Sequence, residues 1–396
     1  MNVSRPEHDI LIAIARRELA PQANETIRKL VKLDLDWDYL LATARHHGLI
    51  PLLQRNANKA AADLLPSHVK TKLKQESVAN VQSVLYLVSQ ALKVAKLFEE
   101  NAIPVAIFKG PILSEVAYGE TSLRQAGDID VLISRQHFGR VKELLQSLGF
   151  QMYPQLTRAQ QASHLAFHCE IQFMRDDWFT VVDLHWGLAP KSFVFGMTGE
   201  EIMSRLQTVS LGGSHIKTFA CEDLLIYQAM HGAKHLWRKL EWIASLAELV
   251  DAFETEAWKV VIERTLKARA TRILALGLRL TEKLFQTEVP RGVLFAIDND
   301  NEMSVYAGKV CDELFIGGSG LTESTESNIH NFKIMDRKRD ALLSTSRALL
   351  VPTLSDWQAL TLPASLHSLY YAIRPFRLSK IYSTAFLRKV VHKPVS

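Results

Sequence analysis

Asp128 and Asp130 stand one residue apart at the head of an apolar run, Ile129–Ile133. Upstream lie Lys109-Gly110-Pro111, Tyr118-Gly119 and Arg124. On a strand, side chains i and i+2 leave the same face, so the two carboxylates are placed to share hard cations. Mg²⁺ takes one or two protein carboxylates together with substrate phosphates. A pair of such ions activates an attacking oxygen and stabilises a leaving pyrophosphate, with Mn²⁺ as the alternative ion. A third acid often completes the platform. Asp183, in Val181-Val182-Asp183-Leu184-His185-Trp186, is the first candidate; Glu170, on the preceding run, is the second, and the choice between them stays open here.

Asp-x-Asp alone is weak, and the chain contains two decoys. Asp34, Asp36 and Asp38 resemble the start of a Ca²⁺ loop, but Tyr39 replaces the required glycine and Arg45 the closing glutamate. Asp298-Asn299-Asp300-Asn301 has Met303 at the glycine position. Lys109-Gly110 gives the Asp128–Asp130 pair its weight. A glycine there permits a tight strand-to-helix turn, and helix N–H groups with the helix dipole then face a phosphate. Lys109 adds positive charge at a triphosphate. Arg124 is placed to fold back onto phosphate or to pair with an acid.

His231-Gly-Ala-Lys234-His235 sets two histidines and a lysine on one helical face, with Lys234 able to reach a nucleotide. It lacks the glutamate of a metalloprotease motif. His164, His168 and His185 come without a cysteine pair, which argues against zinc. There is no Gly-x-Ser-x-Gly elbow and no Walker-type loop.

These residues need elements to hold them. Pro104–Phe108 reads as a strand, Pro111–Tyr118 as a helix closed by Gly119, and Ile129–Ile133 as a second strand. Phe138–Leu148 reads as an amphipathic helix. Leu165–Phe173 and Phe179–Trp186 read as a hairpin around Arg175-Asp176-Asp177. The expected organisation is α/β plus α. A helical N-terminal region spans 1–100, with Asn24 capping its second helix. A small mixed-sheet α/β core spans 101–190. A helical C-terminal region spans 191–396, with helices at Cys221–His235, Leu240–Phe253 and Met335–Leu350. Gly317–Gly320 and Thr322–Asn328 are expected to form a mobile loop.

The net charge of +5 is unevenly placed. After Asp356 there is no acid but six basic residues: Arg374, Arg377, Lys380, Arg388, Lys389 and Lys393. The remainder carries 41 basic and 42 acidic residues, so the excess belongs to an aromatic, basic tail. Residues 1–7 lack the layout of a signal peptide, no apolar run approaches the ~20 residues of a membrane span, and three scattered cysteines fit a reduced, cytoplasmic compartment.

Phe108-Lys109-Gly110, Tyr118-Gly119, Arg124, Asp128-Ile129-Asp130-Val131-Leu132, Asp183-Leu184-His185-Trp186 and His231-Gly-Ala-Lys234-His235-Leu-Trp237 occur in one order. That order resembles the uncharacterised nucleotidyltransferase family of the DNA polymerase beta superfamily. Trp37–Pro51, with Ala44-Arg45-His46-His47-Gly48-Leu49, is similar to the family's helical N-terminal region, so the resemblance extends over roughly 30–250. It implies a minimal nucleotidyltransferase fold, Mg²⁺ and an NTP donor. Carried over by position, Asp128, Asp130 and Asp183 would be metal ligands, with Lys109, Gly110 and Arg124 at the phosphates. The wider superfamily usually shows Gly-Ser where this chain has Lys-Gly.

The leading expectation is an enzyme moving a nucleoside monophosphate, AMP foremost, from an NTP, ATP foremost, to a hydroxyl-type acceptor. That acceptor is a small molecule, a sugar, a peptide or a protein. The alternative is a non-catalytic scaffold of the same fold binding a protein or nucleic-acid partner. Nucleic-acid binding through the basic tail is disfavoured about two to one, because its apolar residues keep helical spacing.

Overall fold

The computed structural model describes residues 5–175, 180–298, 301–315 and 323–391. Its centre is a five-stranded sheet: β1 (Val105–Phe108), β2 (Ile129–Ile133), β3 (Phe150–Tyr153), β4 (Glu170–Arg175) and β5 (Val181–His185). The spatial order is β1-β2-β5-β4-β3. β2 and β5 run parallel; every other neighbouring pair is antiparallel. Every residue of β1 and β2 is buried. That explains why both read as unbroken apolar runs rather than alternating ones.

The pleat sorts these strands between two cores. Val105, Ile107, Ile129, Val131, Ile133, Val182 and Leu184 point to one face. There they pack with Val84, Leu87 and Ala91 of the long helix Ser67–Glu100 and with Val141 and Leu145 of the helix Phe138–Ser147. Ala106, Phe108 and Leu132 point to the other face and join a core built largely from the N- and C-terminal helices. Asp130, Asp183 and His185 alternate with the first set, so they share the second face. The helix Cys221–Lys234 covers it: Phe219 stacks on Phe108 at 4.4 Å and Tyr227 meets it edge-on at 5.3 Å. A polar site is thus set into an otherwise apolar layer.

Several expectations need correction. Asn24 does not cap a helix; it lies inside Pro21–Val31, which opens at Pro21, a residue suited to the first turn. The expected strand from Leu165 starts only at Glu170, because Thr157 and Gln160 form a capping box that opens the helix Arg158–Phe167. Asp176 and Asp177 of the expected turn lie outside the described residues. After Glu200 the chain is not helical throughout: β6 (Gln207–Leu211) and β7 (Ser214–Thr218) form a hairpin. Glu323–Asn328 belongs to the helix Glu323–Ile334 rather than to a loop, and Gly317–Gly320 and Thr322 lie outside the described residues. The helix expected from Met335 begins at Lys338. Among the described residues, no helix is long and apolar enough to cross a membrane.

Candidate active site

Lys109 occupies the turn between β1 and the helix Gly110–Tyr118. Its φ of 59° and ψ of −159° lie where a side chain is strained, at a cost of about 1–3 kcal/mol. Gly110 follows at φ 42°, and a side chain there would approach the Asp128 carbonyl oxygen at 3.5 Å. Gly119 closes the helix in the left-handed region. The turn aims Lys109 back across the sheet, where Nζ donates to Asp130 Oδ1 and lies 5.4 Å from the Phe108 ring. Burial pulls the lysine's pKa down, but Asp130, Tyr227 and Glu170 outweigh it and hold it well above the usual range.

Asp130 and Asp183 are register partners on the parallel strands β2 and β5. A donor atom from each, with one from His185, lies within 4.8 Å of the other two. His185 Nε2 is 3.0 Å from Asp130 Oδ1, and since a carboxylate only accepts, Nε2–H donates. Burial would raise the Asp130 pKa, yet Lys109 and His185 bring it below the ordinary value. Asp128 stands just before β2, outside that tight cluster. Burial, then the charges of Asp130 and Asp183, push it up to about 7. Asp183 is raised by burial and by Asp130, and its Oδ1 has no hydrogen-bond partner. Asp130 and Asp183 converge, with Asp128 just before them. Burial first and then neighbouring carboxylate charge raise Asp128 and Asp183, and one Asp183 oxygen is buried without a partner, which fits a divalent cation. Asp128, Asp130 and Asp183 are the residues that would hold it.

Asp128 is where this repulsion is measurable. Its folded-state pKa lies above its unfolded value, so ionisation destabilises the fold. The loss grows as pH rises from about 4 to about 7. In chelator, Asp128→Asn is expected to stabilise the protein at pH 8 by about 1–2 kcal/mol, with little effect near pH 4. Melting curves at both pH values check this; an equal shift at both contradicts it.

Glu170 pairs with His185 in the β4–β5 register, and its Oε2 lies 3.1 Å from His185 Nδ1, off the line of a hydrogen bond. Burial raises Glu170, but His185, Lys234 and Lys109 lower it to about 2. Its register pair lies two pairs along from Gln172–Asp183, outside the Asp130–Asp183 cluster. Arg124 is buried and turns to Glu241 Oε2 at 3.9 Å. Lys234 ends the helix Cys221–Lys234 and reaches the site electrostatically through Glu170 and Cys169. The rings of His231 and His235 lie 4.8 Å apart, and both contact Trp242. From the sequence His185 is weighed only as a zinc ligand, and Glu241 not at all. His185 did carry a signal, its i+2 spacing from Asp183 on one strand. Glu241 carried none, since only the fold brings it to Arg124.

A family model described as "Uncharacterised nucleotidyltransferase" matches residues 34–286. The chain belongs to that family. This nucleotidyltransferase thus has its sheet, its three acids and the helix bearing Lys234 inside the matched span. Among solved structures, a crystal structure of ANT(2″)-Ia in complex with adenylyl-2″-tobramycin is 14% identical, covering 44% of this chain and 93% of its own, with a TM-score of 0.31. A solution structure of the antibiotic-resistance factor ANT(2″)-Ia is likewise 14% identical at a TM-score of 0.31, over 45% of this chain and 90% of its own. An antigenic nucleotidyltransferase-like protein from Paracoccidioides brasiliensis is 12% identical over 54% of this chain and 96% of its own, at a TM-score of 0.30. No curated protein matches the nucleotidyltransferase by sequence.

Proposed function

We propose that this nucleotidyltransferase moves a nucleoside monophosphate, AMP from ATP foremost, to a hydroxyl-type acceptor and releases pyrophosphate. The observation that carries the reading is the placement of Asp130 opposite Asp183 on parallel strands, with Asp128 beside them and the Lys109-Gly110 turn alongside. Two Mg²⁺ held by Asp128, Asp130 and Asp183 would lower the pKa of the acceptor hydroxyl and neutralise charge on the departing pyrophosphate.

The protein's own groups do the rest. His185 fixes the orientation of the Asp130 carboxylate. The first N–H groups of the helix Gly110–Tyr118, with its dipole, bind phosphate oxygens. Lys109 and Lys234 supply positive charge at the triphosphate. Arg124, held near Glu241, is a further cation for the phosphates. Phe108 and Tyr227 form a dry floor under Lys109, which strengthens its pull on phosphate.

Pyrophosphate release from ATP is expected to vanish on chelation and to return with Mg²⁺ or Mn²⁺. Turnover that persists in excess chelator contradicts the proposal.

A further inference from the structure

We infer that Cys169, Glu170 and His185 form a second, thiophilic cation site, of the kind that takes Zn²⁺ or Co²⁺, on the far side of His185 from Asp130. One donor atom from each of the three lies within 4.8 Å of the other two. Sulfur, imidazole nitrogen and carboxylate oxygen are the donors zinc prefers, and three protein ligands leave a fourth position open. The absence of a second cysteine argued against zinc in the sequence; the fold supplies a carboxylate in its place.

A second observation points the same way. The His185 side chain is 1% exposed, and Nδ1 has no hydrogen-bond partner although Glu170 Oε2 lies 3.1 Å away. With Nε2–H donated to Asp130, Nδ1 is the ring nitrogen left facing Glu170 and Cys169. A cation held between Nδ1, the Glu170 carboxylate and the Cys169 sulfur gives that buried nitrogen a partner. Cys169 is itself buried, and burial together with Glu170 pushes its thiol up to about 12. The thiol is therefore neutral until a metal displaces its proton to solvent. Occupancy fixes the imidazole with Nε2–H on Asp130, the arrangement common among metal-ligating histidines and their carboxylates. The site thereby touches the catalytic acids without sharing their oxygens.

Titration of the full-length, metal-free protein with Co²⁺ tests this, because thiolate ligation gives a sulfur-to-cobalt charge-transfer band that oxygen ligation at Asp128, Asp130 and Asp183 does not. One equivalent of band is expected in the parent protein and in Cys221→Ser, and none in Cys169→Ser. Glu170→Gln is expected to keep the band while weakening Co²⁺ binding by about 10- to 100-fold, which guards against misfolding of the cysteine variant. No thiolate band at saturating Co²⁺, or an undiminished band in Cys169→Ser, overturns the inference. The readout is binding alone, so it stands or falls separately from nucleotidyl transfer.

Discussion

Asp183→Asn and Asp130→Asn are each expected to lower pyrophosphate release by about 10³-fold or more, a loss of about 4 kcal/mol in transition-state stabilisation. Both remove one negative charge from the cation platform while keeping side-chain volume. They differ in their effect on the fold. Asp130 is the anion for buried Lys109 and accepts from His185, so its loss strands a buried cation and lowers stability by about 3 kcal/mol. Asp183 makes no ion pair among the described residues and is repelled by Asp130, so Asp183→Asn leaves stability unchanged or raised. Turnover and denaturation measured together check the pair. If Asp183→Asn retains activity, Asp183 is not the third carboxylate, and Glu170 becomes the residue to test.

Lys109 gives the second large effect. Lys109→Ala and Lys109→Gly are both expected to lower kcat/KM for ATP by about 10²-fold, through loss of a cation pre-set beside the phosphates. The glycine variant separates charge from backbone. At φ 59° and ψ −159° glycine is unstrained, so Lys109→Gly is expected to hold the turn better than Lys109→Ala. Equal activity losses with unequal stabilities fit the account. Full activity in Lys109→Gly would mean that the turn, not the ammonium group, is what matters. The Mg²⁺ needed for half-maximal rate is expected to fall in both variants, because Lys109 Nζ no longer competes for Asp130.

Much of this geometry was legible in the sequence. β2 was readable from Ile129 to Ile133 because both its faces are covered, and the helix after Lys109 because proline opens it and glycine closes it. The link between Asp130 and Asp183 could be suspected from apolar strands bearing acids, but their parallel register is a property of the sheet. Other features were hidden for particular reasons. The Arg158–Phe167 helix has an amphipathic pattern too short to separate from a strand. β6 and β7 did alternate, with Gly212-Gly213 as a two-residue turn, and a period-two reading would have found them. Arg124's partner lies 117 residues away on the helix Leu240–Asp251, so no local pattern announces it.

The central claim is that bond cleavage falls between the α- and β-phosphates at the Asp128–Asp183 platform. The direct measurement uses ATP labelled at the α-phosphate, incubated with Mg²⁺, the full chain and a cell extract as the acceptor source. Asp183→Asn is run in parallel. The account predicts α-label in a new acceptor species, stoichiometric pyrophosphate, and loss of both in Asp183→Asn. Release of inorganic phosphate with the α-label left in ADP, or equal labelling by the variant, would contradict it.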